Sequence, residues 1–411
     1  MAKNAAATPK SNSAHTSGAR VVLYASVGPE LVQYDVDVGG ATFVRRGSVV
    51  LPACVQYAWQ HASKQYFYVA SSNRGPDGGP AVASGPAGDM HHISAFRIDA
   101  ASGALQPHGE PVPLRHRPIH MTTDVPSEHA LIAYSNPSYL TVHRVNHDGT
   151  VGDEVKQPGS LDFGIFAHQI RVTPSNTLVI LATRGHDAAR VKPEEPGALK
   201  VFKYHDGLLS GEVSIAPGGG YGFGPRHLDF HPTQPWVYVS LERQHKICVF
   251  ALNGDTLSSE PLFSKDTLAE PGNVRPHQMA GTVHVHPSGR FVYGAERADA
   301  TTEVDGKKVF SGGENTVVVY AIDQRTGEPM LVQRVETRGM HPRTFAIDPS
   351  GRLLIAANKS PVLVKDGSTV RTVPASLDVF RIGADGKLTY VRKSDVDVGN
   401  ASMFWAGLVK L

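Results

Sequence analysis

An all-β propeller of seven four-stranded blades is the fold class that the 411-residue sequence predicts, on three observations. A five-residue turn recurs along the chain, short β-rich apolar runs surround every copy, and no long amphipathic helical pattern interrupts them. The copies are VPSEH (125–129), TPSNT (173–177), HPTQP (231–235), HPSGR (286–290) and DPSGR (348–352). Their prolines stand at 126, 174, 232, 287 and 349, which gives steps of 48, 58, 55 and 62 residues.

Proline presets the turn dihedral and the Ser or Thr hydroxyl bonds the local backbone, so each copy joins two strands as a hairpin. A second strand follows it (HALIAYS, TLVILAT, PWVYVSL, RFVYGAE, RLLIAAN), then a third (LTVHRV, LKVFKY, KICVFAL, TVVVYAI, LDVFRI) and a Gly-marked turn. Two earlier units, VQYAWQHASKQYFYVAS with HISAFRI and RVVLYASV with LVQYDV, lack the Pro-Ser turn and keep the rest. Innermost strands are expected to start near 53, 117, 166, 225, 277, 341 and 401. The first unit lacks an inner strand, and the last, NASMFWAGLV, has no partners after it. Pairing the two completes the N-terminal blade and removes both open sheet edges.

Residues 1–18 are expected to form a disordered Ala/Ser/Asn-rich arm, and residues 19–411 the propeller. Four insertions, 73–90, 185–197, 298–314 and 359–375, fall between the second and third strands of their units. In a radial array that connection emerges on one face, so they should crowd one end of the central channel as a lid.

Forty Lys+Arg against 38 Asp+Glu leave a formal charge of +2, with no basic block or acidic tail. That argues against a nucleic-acid or membrane-surface partner and for a small molecule. Cys54 and Cys248 sit in apolar runs without metal-ligand spacing, which fits reduced thiols and a cytoplasmic setting. The first twenty residues contain no continuous apolar stretch, so no signal peptide is expected.

Histidines gather near the inner-strand starts: His120 (PIHMT), His168 (AHQI), His227 (PRHL), His277 (PHQM) and His341 (MHPR). At matching phases they would converge on the channel, where rim histidines satisfied by backbone are the bland alternative. A metal held by them is conceivable, but there is no HExxH, no Asp-rich loop and no carboxylate cluster at ligand spacing, so no metal or cofactor is expected. Arg226 precedes His227, Arg343 lies in HPRTF, and Glu242, Glu296 and Arg297 end second strands. Guanidinium groups at a channel mouth suit carboxylate or oxyanion capture, and an imidazole or carboxylate beside them suits proton transfer. Interblade salt bridges would equally account for any one Arg–Glu pair. GGGYGFG (218–224) lacks the strand–helix setting and lysine of a phosphate loop, and no GxSxG elbow occurs.

The segments GPRHLDFHP (224–232), VSLER (239–243), MAGTVHVHPSGRFVYGAER (279–297), HPRTFAIDPSGRLLIAAN (341–358) and SMFWAGLV (402–409) resemble the lactonase-type seven-bladed propellers. That group holds 6-phosphogluconolactonases and 3-carboxy-cis,cis-muconate cyclising enzymes, and the likeness runs from about residue 20 to the C-terminus. It implies a small-lactone hydrolase without a cofactor, with His168, Arg226, Glu242 and Arg297 as catalytic residues. His168 or Glu242 would be the general base, and His120, His227, His277, His341 and Arg343 would line the substrate. A lactone-forming cycloisomerase using the same set, or a non-enzymatic binding propeller, remain the alternatives.

Overall fold

A computed structural model describes residues 20–75 and 88–411. The N-terminal arm expected over residues 1–18 and most of the insertion at 73–90 lie outside these. Uniformly apolar second strands explain the layout. In His129–Ser135, Leu131 and Ala133 pack toward the following sheet, while Ala130, Ile132 and Tyr134 pack toward the preceding one. Alternate side chains leave opposite faces of a strand, so a strand covered on both faces must be apolar throughout.

Seven sheets of this kind follow one another. Sheet 1 holds Val21–Val27, Glu30–Asp37 and Thr42–Val50, with the C-terminal strand Ala406–Lys410 antiparallel to Val21–Val27. Sheet 2 begins with Cys54–Gln60, Tyr66–Ser72 and His91–Ile98, sheet 3 with Pro118–Thr123, His129–Ser135 and Ser138–Val145, and sheet 4 with Ala167–Val172, Leu178–Thr183 and Ala198–His205. Sheet 5 begins with Pro225–Phe230, Trp236–Leu241 and Lys246–Asn253, sheet 6 with Met279–Val285, Phe291–Arg297 and Thr316–Ile322, and sheet 7 with Pro342–Ile347, Leu353–Asn358 and Ser376–Ile382. In sheets 2–7, short or longer outer strands complete the sheet beyond the third strand.

Apolar clusters fill the spaces between sheets 1 and 2, 2 and 3, and so on to 6 and 7, and a further one joins sheet 7 to sheet 1. Polar latches cross the same spaces. Tyr24, Tyr68, Tyr238 and Tyr293 each donate a hydroxyl to a glycine carbonyl in the next sheet's outer turn. The histidines of the Pro-Ser turns act likewise: His231 Nε2 lies 2.8 Å from the Gly289 carbonyl, and His286 Nε2 2.8 Å from that of Gly351. Both glycines have φ near +70°, and a β-carbon at Gly351 would come within 2.3 Å of the His286 ring.

Six of the seven expected inner-strand starts fall within two residues of those observed. The last begins at Ala406 rather than near 401, because residues 402–405 leave the ladder. There the Ser26 hydroxyl accepts from Phe404 N and Trp405 N at 3.0 and 2.9 Å. Two insertions make a sheet of their own from Thr301–Val304, Lys307–Phe310, Val362–Asp366 and Thr369–Val373, joined by the parallel pair Val309 and Leu363. Both thiols are free; Cys248 is buried and Cys54 half-buried. Among the described residues no helix is long and apolar enough to cross a membrane.

Candidate active site

The first strands of sheets 2–5 and 7 carry one extra residue near their start. Val55 and Tyr57, Pro118 and His120, Ala167 and Gln169, Pro225 and His227, and Pro342 and Thr344 each oppose consecutive residues of the second strand. The residues left unpaired are Gln56, Ile119, His168, Arg226 and Arg343. A bulge re-aims its extra side chain. Here it delivers an imidazole and two guanidinium groups to one level of the channel. In sheet 6 the irregularity falls at Gly281 and Thr282.

This register corrects the expectation of five histidines at one phase. His168 occupies the bulge. His120 and His227 share the next position with Tyr57, Gln169 and Thr344. His277 and His341 precede their strands, with φ of 54° and 55°. His277 does not join the others: its side chain is 75% exposed, at the rim, 3.8 Å from Asp299.

A second level comes from the end of each second strand, from the residue just beyond it in sheets 4, 5 and 7 and from its last residue in sheet 6. Arg184, Glu242, Arg297 and Lys359 hold this position in sheets 4–7, each ten residues after its turn proline. The Glu242 carboxylate accepts from Arg226 at 2.5 Å and from Arg297 on one oxygen, and from Arg184 on the other. Burial alone would raise its pKa, but the three guanidinium groups hold it well below the usual carboxylate range. Arg297 also donates to His341 Nε2 at 2.9 Å, and Asp299 stands 2.9 Å from His341 Nδ1. Burial, with Arg297 adding to it, brings the His341 pKa down to about 3, so this imidazole is a neutral acceptor. Glu296 faces elsewhere, held by His245, Thr267 and Gln278.

His168 is buried against this cluster, and its Nδ1 has no partner among the described residues. Burial first, then Arg226, His227, Arg343 and Arg184, pushes its pKa well below the ordinary histidine value. Arg343 forms no ion pair with a carboxylate among the described residues. Its Nε donates to the Phe404 carbonyl at 3.1 Å and its guanidinium lies 3.5 Å above the Phe404 ring. Burial, then Arg226 and Arg297, pulls its pKa well down. Such a group gains from an incoming anion.

The insertions at 185–197, 298–314 and 359–375 stand over this end. Arg243 contacts Asp187 at 2.5 Å, and Glu194 accepts from Gly222 N at 2.5 Å, tying the 185–197 segment to the glycine-rich loop before Arg226. Beneath the inserted sheet a cavity of about 670 Å³ is lined by Glu314, Asn315, Arg338, Met340, Lys365 and Arg371. Asn315 Oδ1 there accepts from His341 N at 2.8 Å and Ala298 N at 3.0 Å, bracing the loops that carry Arg297 and His341. The opposite end of the channel is different: a cavity of about 420 Å³ is lined by Tyr57, Trp59, His284, Phe345 and Trp405. Among the described residues no three His, Cys, Asp or Glu side chains are grouped to hold a metal ion.

Arg184, Lys359, Asp299 and Phe404 were not among the sequence-derived candidates. The constant ten-residue offset from the turn proline would have found the first two.

The family model for "Lactonase, 7-bladed beta-propeller" matches residues 33–365. The chain belongs to this family. Among relatives of this lactonase-family protein, the 6-phosphogluconolactonase of Bacillus subtilis is 28% identical over 276 residues, 65% of this chain and 70% of that one. The 6-phosphogluconolactonase of Serratia proteamaculans is 26% identical over 314 residues, covering 75% and 80%. The periplasmic gluconolactonase of Pseudomonas aeruginosa superposes with a TM-score of 0.70 at 20% identity, over 95% of this chain and 99% of that one, a likeness of fold.

Proposed function

We propose that the protein hydrolyses a small anionic or sugar lactone of the 6-phosphogluconolactone kind at the arginine-rich end of the channel. Residues 19–411 then act as one closed seven-bladed ring, a reading supported by the pairing of Val21–Val27 with Ala406–Lys410 and by the apolar cluster joining sheets 7 and 1. The observation that carries the function is Arg343: a cation with no carboxylate partner among the described residues, electrostatically coupled to the unpartnered imidazole of His168. An anionic substituent or the lactone carbonyl oxygen would complete that group. Arg343 and Arg226 bind the anion and the developing oxyanion, and His168 takes the proton of the attacking water.

Glu242 is a poor base in this arrangement. Its oxygens are engaged by three guanidinium groups, and protonation would break those contacts. Its work is to hold Arg184, Arg226 and Arg297 in place. Burial is the larger cause of the low His168 pKa, but a bound anion offsets the part that the arginines add, so the imidazole is more basic in the complex than in the free enzyme. The acid limb of kcat should therefore lie at higher pH than that of kcat/KM, since the first reports the complex and the second the free enzyme. A panel of phosphorylated, free-sugar and aromatic-pathway lactones, followed by acid release, tests the activity. Absence of turnover on every member, or faster ring closure of the corresponding acids, overturns the reading.

A further inference from the structure

Polar side chains continue along the channel below the arginine cluster, which anion binding at one mouth does not require. Below the bulge level come Tyr57, His120 and His227, and two residues further along the same strands Trp59, Thr122, Arg171 and Asp229, joined by His284 of sheet 6. The rings follow one another: His168 to His227 at 5.2 Å between centroids, His227 to His120 at 6.1 Å, His120 to Tyr57 at 3.8 Å. Asp229 pairs with Arg171 at 3.1 Å and lies 3.5 Å from His284 Nδ1. His284 is half-buried and lines the cavity at the far mouth.

Four ring nitrogens in this column, both of His120, Nδ1 of His168 and Nδ1 of His227, are buried with no partner among the described residues. Buried polar atoms without protein partners are places for bridging water. We infer that the channel is a proton path, running from His168 through water-bridged His227 and His120 to the His284–Asp229 pair at the opposite face.

The inference rests on the hydrolase reading. When water adds to the lactone carbonyl carbon, the acyl bond to the ring oxygen breaks, and that oxygen leaves as a hydroxyl carrying one proton. The new carboxyl group ionises, so one proton per turnover must be discharged. At the arginine-rich mouth it would meet four guanidinium groups, with the Glu242 carboxylate engaged by arginines and the Asp299 carboxylate by His341. At the far end it meets His284, half-buried beside Asp229 and lining the cavity there. Neutral imidazoles, each able to accept at one nitrogen while donating at the other, suit the transfer.

The test uses the full chain, with His120→Phe, His120→Gln and His284→Phe measured in weakly buffered medium. His120→Phe and His284→Phe should lower kcat about tenfold with KM unchanged, part of the factor that acid–base assistance supplies. Added free imidazole should restore His284→Phe, whose site is open to solvent, and His120→Gln, which can hydrogen-bond but cannot pass a proton, should be as slow as His120→Phe. Wild-type kcat in both Phe variants, or a loss confined to KM and insensitive to imidazole, overturns the path. Should the wild-type chain hydrolyse no lactone, the functional reading falls first. The path is then judged by a high-resolution crystal structure, where ordered water between His120 and His227 supports it and a dry channel overturns it.

Discussion

The two ends of the channel are built from the same strands and do opposite things with charge. At the arginine-rich end Glu242 is shared by Arg184, Arg226 and Arg297, and Arg343 stands on a ring and a carbonyl with no carboxylate partner among the described residues. At the far end Arg171 has a carboxylate of its own. It pairs with Asp229, lies over Trp59 and Phe230, and Asp229 also accepts from Val285 N at 3.0 Å. Burial works against the Asp229 charge, yet Arg171 and His284 bring its pKa down to about 2. One end is satisfied internally; the other, on the function proposed above, receives an external anion. A buried cation without its own carboxylate costs stability unless a ligand supplies the charge, which is how a binding site differs from a structural ion pair.

The comparison breaks most visibly in kinetics. His168→Ala and Arg226→Ala should each lower kcat/KM by about 10²- to 10⁴-fold, the usual worth of a general base or an oxyanion contact. Rates within a few-fold of wild type would place the chemistry elsewhere. Next in size is the carboxylate that gathers the arginines. Glu242→Gln leaves three guanidinium groups without their counter-charge and should cost about 3–5 kcal/mol in denaturant unfolding.

The same substitution sharpens the pH dependence. Because the folded pKa of Glu242 is depressed, its stabilisation is complete above the unfolded carboxylate value of about 4.3 and is lost as pH falls toward the folded one. Wild type should lose stability over that acid range, and Glu242→Gln should lose less. At the far end, Phe345→Ala opens a cavity between sheets 6 and 7 and should cost about 3–5 kcal/mol, while KM for the lactone changes less than twofold. A large rise in KM there would merge the two ends into one binding site. Smallest of all, Arg371→Ala in the inserted sheet removes an exposed pair with Asp366 and should shift stability by less than about 1 kcal/mol.

Much of the architecture was legible because its cause is local. The Pro-Ser turns connect the first and second strands where expected, and residues Val22–Ala25 and Leu131–Ala133 are apolar because both faces of those strands are covered. The site was legible only in its residue types. The sequence-derived set placed His168, Arg226, Glu242 and Arg297 together, and the structure brings these four into one cluster. It also grouped His277 with them, although that side chain points to solvent. The error has a physical origin: His277 precedes its strand with φ of 54°, so the ladder that sets which side chains face the channel does not fix its direction. The bulges at Gln56, Ile119, His168, Arg226 and Arg343 carry no signature of their own in the sequence.

By itself the sequence determined an all-β chain of repeating strand units, the positions of their turns, and a nearly neutral charge balance with arginine, histidine and glutamate at strand ends. These follow from proline geometry, from strand periodicity and from the apolar demand of strands covered on both sides. Tertiary structure alone decided which of the polar residues meet. Strand register and bulges turn particular side chains inward, and only the packing of one sheet on the next puts three arginines on Glu242 and leaves Arg343 with no carboxylate partner among the described residues.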